Sequence, residues 1–200
     1  MKVAAEAVKQ LRERTGAGVL DCRRALEETN GDMDKAAELV RERGQAAASK
    51  REGRETRDGT IDLYSHGEGR VGVMVEVNCE TDFVARTEPF RRFAHEISLQ
   101  VAAHSPRWVR PEDVPAEILE HEQRTARERA IQEGKAEGIV DRIVEGRIEK
   151  FLDETCLLRQ AYVRDDSKTV ANLVQETIAA TGENITIRRF VRWGVGEEIG

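Results

Sequence analysis

Little in this sequence is aromatic: Phe, Trp and Tyr together make up 4% of its 200 residues, so a core must rest on Val, Ile, Leu and Ala. Cysteine is equally scarce. Cys22, Cys79 and Cys156 are far apart, odd in number and without C-x-x-C spacing, which argues against a disulfide framework or a zinc knuckle and predicts reduced, mostly buried thiols. No apolar run approaches the roughly 20 residues that a membrane helix needs. The opening MKVAAEAVKQLRERTG has no apolar signal centre, so a cytoplasmic address is expected. Positive charge is not in excess either. With 32 Lys and Arg against 38 Asp and Glu the net charge is −6, which argues against holding nucleic acid by phosphate neutralisation; no direct nucleic-acid partner is expected.

What is present is periodicity, and it changes along the chain. Val3, Ala7, Val8 and Leu11 share one helical face, and that helix stops at Thr15-Gly16-Ala17-Gly18, a turn expected to need positive φ. A second helix, from Leu20 to Thr29, groups Cys22, Ala25 and Leu26. Asn30-Gly31-Asp32 breaks it, and Asp32 is placed to cap a third helix carrying Ala36, Ala37, Leu39 and Val40, closed by Gly44. Residues 1–44 therefore read as a three-helix, ubiquitin-associated-like domain. Residues 45–58, QAAASKREGRETRD, carry dense mixed charge and no large apolar side chain, and read as a charged linker, helical at most at its start.

Beyond the linker the period shifts to two. Ile61 and Leu63, then Val71, Val73, Val75 and Val77, alternate around His66-Gly67-Glu68-Gly69, which predicts an antiparallel hairpin. A helix is expected from Asp82 to about Ala103. Two helical arms follow within 112–158, the first marked by Val114, Ile118 and Leu119. The second carries Ile139, Val140, Ile143, Val144, Ile148, Phe151 and Leu152. A short extended piece ending at Val163, a helix from Thr169 to Ala180 and a strand from Asn184 to Arg192 complete the chain. The fold class is α+β: the helical domain, the linker, and a core over 59–200 in which a small antiparallel sheet is flanked by helices and carries the helical hairpin arm.

Catalytic motifs are missing. Gly67-Glu68-Gly69-Arg70-Val71-Gly72 fits G-x-G-x-x-G literally, yet a strand follows it where a phosphate site needs a helix N-terminus, so its glycines read as turn geometry. His66, His95, His104 and His121 show no ligand spacing, and no metal or cofactor is expected. Glu27-Glu28, Asp165-Asp166 and Glu197-Glu198 read as solvated pairs. No nucleophile stands beside a base, so no enzyme site is expected.

One local run is unusual. After the apolar strand come Asn78-Cys79-Glu80-Thr81-Asp82-Phe83-Val84, in which Thr81 or Asp82 is a natural N-cap and Asp82 suits the positive end of the helix dipole. Phe83, in the first turn, has two readings. The plainer one packs it beneath the sheet; the other makes it an apolar wedge beside a carboxylate at an exposed corner, able to enter a partner's cleft.

Five blocks along the chain carry a resemblance. Leu11-Arg12-Glu13-Arg14-Thr15-Gly16-Ala17-Gly18 with Asp21-Cys22-Arg23-Arg24-Ala25-Leu26 resembles the first signature of the elongation factor Ts family, and Glu76-Val77-Asn78-Cys79-Glu80-Thr81-Asp82-Phe83-Val84-Ala85 resembles the second. Val144-Glu145-Gly146-Arg147-Ile148, Leu157 to Asp165, and Arg189-Phe190-Val191-Arg192 are similar to later blocks in the same order. The resemblance implies a guanine-nucleotide exchange factor that binds the elongation GTPase Tu in its GDP-bound and nucleotide-free forms, without covalent chemistry. It implies that Thr81, Asp82, Phe83 and Val84 disturb the Mg²⁺ site of the GTPase, with Phe83 as wedge. It further implies that Arg12, Gly18, Val19 and Leu20 contact the nucleotide domain of Tu; Val19 and Leu20 replace a methionine pair usual in the family, so the contact stays apolar but loses the adaptable thioethers. Only one hairpin-plus-helix unit is visible where longer relatives carry a duplicated half-core, which suggests a homodimer. The alternative is a ubiquitin-associated-type adaptor without exchange activity, for which Phe83 is dispensable.

Overall fold

The computed structural model describes residues 3–197. Three helices come first: α1 (Ala5–Thr15), α2 (Val19–Glu28) and α3 (Met33–Ser49). The hairpin strands β1 (Asp58–His66) and β2 (Val71–Cys79) follow, then a short helix α4 (Asp82–Ala85) and a long one, α5 (Glu88–His104). Next are the arms α6 (Ala116–Gln132) and α7 (Glu137–Thr155). The strands β3 (Ala161–Tyr162) and β4 (Asp165–Thr169), the helix α8 (Val170–Thr181) and the strand β5 (Ile185–Gly194) end the described chain. One sheet has the order β1-β2-β5, and β3 pairs with β4 in an antiparallel ribbon. The fold is α+β, as expected.

Two compact units divide these elements. The first takes residues up to Leu63, Val75–Glu96 and Asn172–Arg188; the second takes Tyr64–Met74, Ile97–Ala171 and residues from Arg189 on.

In the first unit, Val8, Leu11, Cys22, Ala25, Leu26, Ala36, Ala37 and Val40 form the core of the α1–α3 bundle, in keeping with the faces expected from the 3.6-residue period. Gly16 ends α1 with φ +69°, the left-handed value that glycine adopts at little cost. Gly18 does not share that geometry: with φ −62° it is the extended residue before α2, not a second left-handed turn position. Asp32 caps α3 by accepting hydrogen bonds from the amides of Asp34 (3.2 Å) and Lys35 (3.1 Å), and the Lys35 amide, followed by the Lys35 ammonium group, holds its carboxyl below the usual range.

Gly44 does not close α3. The helix runs through it to Ser49, and Ala48, inside the stretch expected to be fully solvated, is buried. The reason is tertiary: a Cβ at Gly44 would stand 3.1 Å from the Cβ of Ala179 on α8, so glycine here permits close approach of two helices rather than a stop. The chain after α3 is tied down as well, since the Thr56 and Thr186 hydroxyls lie 2.9 Å apart.

The single helix expected from Asp82 to Ala103 is two helices. Pro89 has no N–H to offer the carbonyl four residues back, so the chain breaks after Ala85 and restarts at Glu88. On this side of the division Val75, Val77, Phe90, Phe93, Ala94, Ile178, Ile185 and Ile187 are buried, the alternate residues of β2 turning inward as the two-residue period requires.

In the second unit the hairpin arms pack along two apolar clusters. Val114, Phe151, Leu152 and Cys156 form one near the open end, and Ala126, Ala130, Val140 and Val144 form the other toward the turn. Arg159 anchors the base of α7 with ion pairs to Glu149 (2.6 Å) and Asp153 (2.7 Å). Two glutamines hold the ribbon. Fully buried Gln100 donates to Gln160 Oε1 and to the Ala161 carbonyl, each at 3.1 Å, and accepts from the Val163 amide at 2.8 Å. Gln160 in turn donates to the Glu154 carbonyl at 2.9 Å. Buried amides of this kind stay buried because each polar atom is satisfied.

Among the described residues no helix is long and apolar enough to cross a membrane, and no three His, Cys, Asp or Glu side chains gather as metal ligands. All three cysteines are free and buried.

Candidate functional site

Strand β2 ends at Cys79 and the chain turns sharply into α4, so that residues 80–84 form a corner in the first unit. Thr81 is extended (φ −132°, ψ 155°), and its hydroxyl accepts from the Val84 amide at 3.4 Å, which makes it, rather than Asp82, the N-cap. Asp82 instead pairs with Arg86 one turn on, at 2.8 Å. Val84 is half-buried and Ala85 buried. Phe83 is 80% exposed, which removes the plainer of its two readings, packing beneath the sheet. The turn points it outward while Val84 and Ala85 take the inner positions.

Residues remote in sequence fix this corner. Glu183, in the turn between α8 and β5, accepts at Oε2 from the amides of Glu80 (3.1 Å) and Thr81 (3.0 Å) and at Oε1 from the Thr81 hydroxyl (2.6 Å). Glu80 answers in the opposite direction: its Oε1 accepts from the Asn184 amide at 2.6 Å and pairs with Arg54 at 3.5 Å. The Asn184 side chain then donates to the Arg54 carbonyl at 2.8 Å. Beneath the turn, the Cys79 thiol donates to the Thr81 carbonyl at 3.2 Å. Burial, with the Glu183 charge as a second cause, pushes that thiol up to about 11, so it stays protonated and serves as a donor rather than a nucleophile.

None of these braces was anticipated. Glu183, Asn184 and Arg54 lie far from the corner in sequence, and a glutamate in a Gly-Glu-Asn turn carries no local mark of what it will bind. Glu80 falls inside the unusual run, yet nothing local distinguishes it from a solvated carboxylate.

The second group of expected contact residues lies on the turn between α1 and α2. Arg12 and Gly18 are exposed, as are Val19 (46%) and Leu20 (65%). Two apolar side chains thus face outward at the first turn of α2, whose opposite face buries Cys22, Ala25 and Leu26. The first turn offers apolar surface, and the second an exposed aromatic side chain beside hydrogen-bonded amides and carboxylates.

Known proteins match nearly the whole of this sequence. Residues 3–197 match the family model described as Elongation factor TS. Elongation factor Ts of Thermoanaerobacter sp. (strain X514) is 57% identical over 197 residues, spanning 98% of this chain and 97% of that protein. The protein of that name from Caldanaerobacter subterraneus subsp. tengcongensis is 56% identical over 197 residues, 98% of each chain. That of Carboxydothermus hydrogenoformans is 53% identical over 195 residues, 98% of this chain and 90% of the relative. A match of this extent, in a fold of this class, puts the chain among the translation elongation factors. It belongs to the elongation factor Ts family.

Proposed function

We propose that this chain is a guanine-nucleotide exchange factor for the elongation GTPase Tu, working by contact alone. The observation that carries the reading is Phe83, 80% exposed at a corner held by the Glu183 carboxylate and by the Cys79 thiol. An aromatic side chain left in water costs free energy that a partner's cleft can recover; fully burying one stabilises by ~1.5–3 kcal/mol. That is the size the task needs, because weakening the GTPase's hold on GDP tenfold to a hundredfold takes about 1.4–2.7 kcal/mol of coupling. Phe83 enters beside the Mg²⁺ and phosphate site, and Asp82, oriented by Arg86, brings a negative charge to the same place. Thr81 and Val84 complete the contact. Coupling is reciprocal, so GDP expels the factor from the GTPase by the same factor by which the factor expels GDP.

Arg12, Gly18, Val19 and Leu20 rest on the nucleotide domain of the GTPase and hold the complex while the corner acts. We also propose a homodimer. Met74, Val191 and Trp193, all exposed on strands of the second unit, support it by offering apolar surface that a second copy would cover. Light scattering should return twice the mass of one chain; a monomer at working concentration ends this part of the proposal.

The test of the exchange reading is release of labelled GDP from Tu with and without the chain. Acceleration that saturates with chain concentration is expected. Release that stays at the spontaneous rate at every concentration would refute it.

A further inference from the structure

We infer that Glu183 is a positioning residue for exchange: its carboxylate sets the Thr81–Val84 corner in its working shape before a partner arrives. The inference rests on the reading of Phe83 given above and adds to it the group that aims the wedge.

Phe83 is too exposed for packing to direct it, so its direction follows from the backbone of the turn. That backbone is a single turn of helix, too short to be stable by its own hydrogen bonds. Glu183 supplies what the turn lacks. Three donors of the corner, the amides of Glu80 and Thr81 and the Thr81 hydroxyl, all end on its two oxygens at 2.6–3.1 Å. Hydrogen bonds to a carboxylate are among the stronger ones in proteins. The hydroxyl is used twice, donating to Glu183 and accepting from Val84, so the bond to Glu183 also orients the cap of α4. The counter-contact from Glu80 to the Asn184 amide stops the Glu183 turn from moving away with its load. Each turn therefore holds the other, and both start from buried strand ends, Cys79 on β2 and Ile185 on β5.

A corner held this way meets the GTPase without first losing conformational freedom. Without the carboxylate, two amides and a hydroxyl must find water, and the wedge shape becomes one of several. Initial binding through the α1–α2 turn is unaffected, whereas the step that needs Phe83 in place slows by the fraction of time the corner is correctly formed.

The test is GDP release from Tu at saturating and subsaturating chain, for the wild type, Glu183→Ala and Glu183→Gln. Glu183→Ala should lower the maximal rate about tenfold while the half-saturating concentration stays within about twofold. Glu183→Gln should return to within about twofold of wild type, because the amide oxygen can accept both N–H groups and its NH₂ can donate to the Thr81 hydroxyl with roles reversed. Hydrogen exchange of the free chain supplies a readout independent of the GTPase: the Glu80 and Thr81 amides should lose protection in Glu183→Ala while those of Val75 and Val77 keep it. Three results overturn the inference. One is a wild-type maximal rate in Glu183→Ala. Another is unchanged protection of Glu80 and Thr81. The third is an equal loss of rate in both variants accompanied by lost protection across β2, which would make Glu183 a general fold residue. A wild-type chain that fails to speed release refutes the exchange reading itself, a different outcome from any of these.

Discussion

The turn before α2 and the turn before α4 both set apolar side chains at the opening of a helix, and they are steadied by opposite means. Gly18 precedes α2 and has no side chain to cap it. What fixes Val19 and Leu20 is the far face of their own helix, where Cys22, Ala25 and Leu26 are wholly buried. The Cys22 thiol reaches the Ala17 carbonyl only at 3.8 Å. At the second turn the helix is four residues long and cannot anchor itself, so polar groups do the work: the local Thr81 cap and Cys79 thiol (3.2 Å), and the remote Glu183 carboxylate. Apolar burial positions a whole helix and is indifferent to the exact direction of one side chain. Directional hydrogen bonds fix one turn and leave Phe83 free to be presented. The first arrangement suits a surface that is rested upon, the second a surface that must enter something.

The widest separation between the two turns should come from Phe83→Ala. Removing a wedge of hot-spot type costs about 2 kcal/mol, or roughly 30-fold in the maximal rate of GDP release, with the thermal midpoint unchanged because the side chain is already in water. A fall in the midpoint together with the rate would show that Phe83 supports the fold instead. Next in size is a pH effect belonging to the second turn. The Cys79 thiol is held near 11 against an ordinary 9.0, so between those values the unfolded chain gives up the proton and the folded chain keeps it. The folded state then binds more protons, and stability falls as pH rises through that window, by up to about 2 kcal/mol; below pH 9 the contribution is constant. Urea unfolding from pH 8 to 11 should show a steeper decline for the wild type than for Cys79→Ala, and parallel curves would remove the thiol from the account. The smallest effect is expected at the first turn. Leu20→Ala should raise the half-saturating concentration severalfold, under about 1 kcal/mol, and leave the maximal rate alone. A loss of maximal rate there would erase the proposed division of labour.

Much of this was legible in the sequence, for a physical reason. Val71, Val73, Val75 and Val77 alternate because one face of β2 is buried, and the run from Ile139 to Leu152 repeats at three and four because one face of α7 packs on α6; local period records local burial. The Asp165–Thr169 strand left no such record. Its residues are Asp, Asp, Ser, Lys and Thr, and it is a strand because β3 pairs with it. Gly44 misled because a glycine that ends a helix and one that admits a neighbouring helix look alike until Ala179 is in view. At the corner the residues to be presented could be read, since they are consecutive. The carboxylate that aims them could not, being about a hundred residues away and marked by nothing local.

Gln100 makes one piece of the second unit conditional on another. A ribbon of two short strands, one of them wholly polar, has little reason to persist alone in water. The bonds that secure it end on Gln100 of α5, a side chain wholly withdrawn from solvent in the folded unit. The ribbon and the inward face of α5 therefore stand or fall together in the native state, and the first residue of α8 adds to the same network by donating to the Gln160 carbonyl.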